Sequence, residues 1–168
     1  MASGETLGAW GAQAGWPPAS GYATPDQRPT TLHPVLAFED TNDETIYIED
    51  FLLSNYAGGG VSVHLWWAGA TATTGTVRWE VAIERQDVVG LDIDADSFAT
   101  AKSAGGTAPG TSGQWQKTTI SFTNGAEIDS LAINERFRLM IRRDANGTTG
   151  TDDMAGDAQI GGVQMTET

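Results

Sequence analysis

The chain has 168 residues, of which 22 are Asp or Glu, 9 are Lys or Arg and none is Cys, for a formal charge of −13. That length suits one domain whose core needs neither metal nor disulfide. Without cysteine there is no disulfide framework, zinc–thiolate site or thiol nucleophile, and so negative a chain repels phosphate backbones, so no nucleic-acid partner is expected.

The opening stretch MASGETLGAWGAQAGW has neither the basic nor the apolar region of a secretory signal. No apolar run reaches the length of a membrane span. Synthesis in the cytoplasm without a membrane partner is the expectation. Residues 1–34 show no periodicity and hold five of the six prolines, at Pro17, Pro18, Pro25, Pro29 and Pro34. Proline fixes φ and removes a donor, so 16–34 can form neither a regular helix nor a central strand. Leu7, Trp10, Trp16 and Tyr22 recur along this segment, whereas disordered tails are poor in aromatic residues. The expectation is an extended N-terminal arm over 1–34 that lies either on its own domain or on a neighbour, with a partner surface taken as the working reading and these four side chains as its contacts. The remaining residues, 35–168, form the domain.

From Val35 the pattern changes to short strands. Val35–Phe38 is an apolar run, Thr45–Leu53 alternates through Ile46 and Ile48, and Gly58, Gly59 and Gly60 force a loop. In Val61–Trp67, Val61, Val63, Leu65 and Trp67 share one face, while Ser62, His64 and Trp66 share the other. Thr76–Gln86 sends Val77, Trp79, Val81 and Ile83 inward and Arg78, Glu80, Ala82 and Glu84 outward, the period of two of a half-buried antiparallel strand. Residues 87–114 read as loop, with a helical turn at Asp96–Lys102. Trp115–Phe122 alternates, Asn124-Gly125 turns the chain, and Arg136–Arg143 places Phe137, Leu139 and Ile141 inside. A polar loop spans Asp144–Asp157. The last strand, Ala158–Met165, is interrupted by Gly161 and Gly162, which suggests a bulge. Seven or eight such strands without an amphipathic helix make an all-β sandwich, and the eight-stranded form that limits exposed edges is a single jelly roll. An immunoglobulin-like sandwich is the alternative, without its Cys–Trp–Cys hallmark.

Residues able to do chemistry are few. Asp92, Asp94 and Asp96 have the spacing of a cation loop, but an EF-hand would need Gly and Glu where Ser97 and Ser103 stand, so a self-capped acidic loop is expected. Asp144, Asn146, Asp152, Asp153 and Asp157 read first as turn chemistry. Neither His33 nor His64 accompanies a serine in a nucleophile elbow. Glu80 and Glu84 share a strand face with Arg78 and lie opposite the basic strand Arg136–Arg142, a cross-strand charge ladder rather than a pair of catalytic acids. No catalytic, cofactor or metal residue is assigned. Trp66 points outward beside Trp67, which enters the core; an outward tryptophan on a sandwich is covered by a partner or by the arm, or stacks on a sugar ring.

The stretch HPVLAFEDTNDETIYIEDFLLSNYAGGGVSVHLWWAGATATTGTVRWEVAIER, followed by DIDADSF, TAPGTSGQ, ISFTNGAEIDSLAINERFRLMIRRDANG and DDMAGDAQIGGVQMTET, covers residues 33–168. It resembles a family of jelly-roll virion structural proteins of tailed bacteriophages. The resemblance implies a non-enzymatic virion component, most simply a capsid decoration protein. It would be anchored by the arm to the major capsid protein or another virion protein, would often be a homotrimer, and would bring no catalytic residues or cofactor. The alternative is a carbohydrate-binding, host-recognition module of a head or tail fibre, motivated by Trp66 and the two long loops.

Overall fold

The computed structural model describes residues 4–86 and 89–168. Ten strands form: β1 (Thr6–Gly11), β2 (Thr24–Gln27), β3 (Pro34–Phe38), β4 (Glu44–Phe51), β5 (Val61–Gly69), β6 (Thr76–Gln86), β7 (Lys102–Thr107), β8 (Gln116–Phe122), β9 (Arg136–Arg143) and β10 (Ala158–Glu167). Two single 3₁₀ turns, at Ala12–Ala14 and Ala126–Ile128, are the only helical elements among the described residues. From β3 onward the chain pairs as if folded in half: β3 with β10, β4 with β9, β5 with β8 and β6 with β7, all antiparallel. The first sheet runs β2-β3-β10-β5-β8 with β1 also on β10, and the second runs β4-β9-β6-β7. This is the expected jelly roll: one long hairpin rolled so that successive strands alternate between facing sheets.

Between the sheets lie the apolar faces that the alternation marked. Trp67 and Trp79 meet edge-to-face at 6.1 Å, and Phe38 meets Trp79 at 5.1 Å. Trp67 Nε1 donates to Thr118 Oγ1 at 2.9 Å, which satisfies the one polar group of a fully buried indole. The bulge expected at the glycines of β10 is present, with a register shift between Ile160 and Gly162. The inserted residue restores parity, so Ile160, Val163 and Met165 are all buried.

The structure adds β7 to the stretch expected to be loop; Asp87 and Val88 of that stretch lie outside the described residues. KSAGGT has no apolar alternation because its inner neighbour is large. The Trp67 indole lies against Gly106, so no side chain is needed there. The helical turn expected at Asp96–Lys102 does not form; Ala99 N–H donates to Ile83 O and the chain continues extended into β7.

The separate arm is corrected. β3 covers β10 only at Ala158–Ile160, which would leave the same edge of β10 unpaired further on. β1 fills that gap, pairing Thr6 with Thr166 through to Gly11 with Gly162. Leu7 is buried in the core. Trp10 reaches across to the second sheet, where Nε1 donates to Asp50 Oδ2 at 2.6 Å and its ring meets Phe137 at 6.0 Å. The chain then crosses to the edge of β4, with bridges Trp16–Tyr47 and Tyr22–Thr45, and returns as the proline-bearing edge strand β2. Residues 4–34 are thus ordered by their own sandwich, and the boundary at 34 does not separate two units. Truncating Leu7 to Ala should therefore destabilise the isolated chain by about 2–5 kcal/mol in urea unfolding. A change near zero would mean that this segment packs elsewhere.

Candidate functional site

The outer faces of the two sheets differ, and the difference locates the site. On the second sheet the outward positions are filled by ion pairs. Arg138 pairs with Glu84, Arg142 with Glu80 and Arg136 with Glu49. The Arg138 guanidinium also lies over Tyr47 and Phe98, at 5.0 and 4.7 Å from the ring centroids. The expected charge ladder is present, but it is not a solvated face: Glu80 and Glu84 are buried beneath their arginines. Glu80 and Glu84 stand four residues apart on one strand, their backbones about 13 Å apart, and each carboxylate is held by its own arginine instead of facing the other across a cleft.

The first sheet presents a different surface. Trp66 on β5 stands outward, 42% exposed, with Gly162 of β10 and Lys117 of β8 as its cross-strand neighbours. The Lys117 ammonium lies 5.7 Å from the indole centroid. On the β10 side a shallow groove of about 360 Å³ is lined by Trp66, Gly162, Val163, Gln164 and the Ala9–Gly11 stretch of β1. A Cβ at Gly162 would meet nothing nearer than the Trp10 carbonyl oxygen at 3.6 Å, so the floor is open above it. Trp115, just before β8 and 48% exposed, lies against Gly161, where any Cβ would overlap its ring. Glycine inside a strand often marks such close approach.

Polar groups on this face are mostly hydroxyl, amide and imidazole. His64 contacts Thr119 Oγ1 at 2.9 Å through Nδ1 and Thr166 Oγ1 at 3.0 Å through Nε2. Burial, and then the Lys117 charge, lower its pKa, so the ring is neutral at neutral pH. Gln164 Nε2 donates to Thr6 Oγ1 at 3.1 Å. A second depression, of about 430 Å³, opens between Tyr56, Asn124 and Leu131 at one end of the sandwich, but Tyr56 is buried and its hydroxyl is engaged with Gly59 O.

The acidic loops do local work. Asp92 accepts from the Asp94 amide and Asp96 from the Ser97 amide, the self-capping expected. Asp152 forms a two-point pair with the fully buried Arg143, which also donates to the carbonyls of Phe38, Met154 and Gly156. Asp144 is buried, which by itself raises its pKa. The hydroxyls and amides of Thr148 and Thr149 outweigh this by donating to it at 2.6–3.0 Å and bring the pKa down to about 2. Among the described residues no cluster of three or more His, Asp or Glu has metal-binding geometry.

The four side chains expected to serve a partner do not act together. Leu7 is core and Trp10 spans the two sheets, while Trp16 and Tyr22 remain 75% and 44% exposed beside β4. Sequence reasoning placed Trp66 outward correctly. It missed Trp115 as its companion, because the signal is the bulge glycine beneath the ring, distant in sequence.

No family model and no curated protein matches the sequence. Solved structures of the same fold do. A family 35 carbohydrate-binding module from an environmental isolate is 12% identical with a TM-score of 0.55, covering 95% of this chain and 93% of its own. A carbohydrate-binding module of Cellvibrio mixtus lichenase 5A, solved with cellotriose, is 9% identical with a TM-score of 0.53, covering 97% and 98%. The CBM22-1–GH10 modules of Clostridium thermocellum xylanase 10B, solved with xylohexaose, match at 13% identity and a TM-score of 0.54 over all of this chain, which spans 29% of that one. At these identities the likeness establishes the fold, a jelly-roll sandwich.

The Asp144 cage makes a pH prediction. A carboxylate with a depressed native pKa stabilises the fold fully above its unfolded value, near 4, and loses that contribution as pH falls toward 2. The stability gap between the protein and its Asp144→Asn variant, measured by urea unfolding, should narrow by about 2 kcal/mol between about pH 6 and about pH 2. A gap independent of pH would contradict the cage.

Proposed function

We propose that the chain is a non-catalytic carbohydrate-binding domain that takes a sugar ring in the groove walled by Trp66. The observation that carries this reading is an exposed indole standing beside a cross-strand position from which the side chain is missing, Gly162. An indole face packs on the C–H face of a pyranose as it does on other rings, and an open floor lets the ring descend beside it. The amide of Gln164 borders the groove, matching the hydroxyls of a neutral sugar rather than a charged group. The whole-chain likeness to carbohydrate-binding modules supports the same reading. So does the pairing of Glu80 and Glu84 with arginines, which leaves those carboxylates without an acid–base role.

Capsid decoration draws no support from these likenesses. Its anchor was to be the arm, and Leu7 and Trp10 are engaged inside the chain. In the virion setting that the sequence resemblance implies, a domain of this kind serves recognition of host-surface glycans.

A glycan array with the unmodified protein should give discrete positive features. Trp66→Ala should weaken them by at least about tenfold, the loss expected from one aromatic contact. Gly162→Leu should do the same by filling the floor, with thermal unfolding little changed. Undiminished binding by both variants would place the sugar elsewhere.

A further inference from the structure

Trp66 has an aromatic companion on the same face, and the way it is seated is specific. Trp115, just before β8, and Lys117 within it lie two residues apart, and Lys117 is the cross-strand partner of Trp66. From this edge the Trp115 indole reaches across β5 to β10, where it rests on Gly161. Continuing the β5–β8 register by one residue puts Trp115 opposite Ala68, a small and buried side chain of β5. The bulge therefore supplies two consecutive glycines with different uses: Gly161 lies beneath Trp115, and Gly162 is left open beside Trp66. Consecutive strand residues normally point to opposite faces, so two adjacent gaps on one face require the bulge.

We infer that Trp66 and Trp115 are two adjacent stacking subsites, and that the domain binds an internal run of a neutral polysaccharide chain rather than a single terminal sugar. This rests on the carbohydrate-binding reading above and deepens it. Trp115 lies about 7 Å along the strand direction from Lys117, the cross-strand partner of Trp66, so the two indoles spring from neighbouring positions of one face. The Trp66 groove is shallow and open, with the Ala9–Gly11 stretch of β1 as its far side, so it does not enclose a chain end. The indole on Gly161 presents a further ring surface, nearly half exposed, on the same outer face. Each ring contributes only when a sugar unit lies over it, so affinity rises with chain length until both are covered.

The test is isothermal titration of the full chain with xylo-, cello- and β-1,3-galacto-oligosaccharides of two and of six units. The expected result is that Trp115→Ala weakens the hexasaccharide by about tenfold and the disaccharide by less than about twofold. Trp66→Ala should weaken both. Gly161→Val, which keeps every tryptophan but displaces the Trp115 ring, should reproduce the length-dependent loss. If Trp115→Ala and Gly161→Val leave the hexasaccharide unchanged while Trp66→Ala abolishes binding, the second subsite is wrong and the carbohydrate-binding reading stands. Equal weakening at both lengths also overturns it. If the unmodified protein binds none of these sugars and no feature of the array, both fall.

Discussion

Strand β10 is the constraint on which the rest of the molecule depends. β5 pairs along one of its edges, while β3 and β1 share the other in tandem. Nearly every inward side chain of β10 must meet the core, yet the strand is long enough that its two halves contact different partners. The extra residue at Gly161–Gly162 reconciles these demands. It keeps Ile160, Val163 and Met165 inward and turns two glycines outward. The same event that closes the core thus clears a patch on the opposite face, and the two exposed tryptophans of the first sheet are disposed around that patch.

Charge is divided to match. The chain is strongly acidic, and among the described residues six ion pairs hold six of the nine basic residues, three of these pairs across the second sheet's outer face. Buried carboxylates retained under arginines are costly unless fully paired, so that face is committed to structure. The first sheet's outer face carries Lys117, a neutral His64 and hydroxyls, with aromatic surface between them. A neutral polyhydroxylated ligand suits such a surface, whereas phosphate-bearing ones meet the repulsion of the whole chain.

The sequence made β6 and β9 legible to the residue, and β5, β8 and β10 nearly so, because each alternates large apolar and polar residues against a single core. It hid β1, β2 and β7. Gly8, Gly11, Pro25, Gly105 and Gly106 remove the alternation there, and these strands exist through backbone pairing to better-marked neighbours. The same segment misled on organisation: proline and glycine read as an unattached arm, while the unpaired edge of β10 that attracts it is visible only once β10 is placed. The outward Trp66 followed from parity with Trp67. The seating of Trp115 did not, since it depends on a bulge glycine 46 residues further along the chain and on how an indole lies across β5.

The most direct measurement is nitrogen-edited NMR of the six indole N–H signals during titration with xylohexaose and cellohexaose. The account predicts that the Trp66 and Trp115 signals move together while those of the buried Trp67 and Trp79 stay fixed. A titration in which only Trp16 responds, or in which Trp66 and Trp115 stay still while sugar binds, would contradict it.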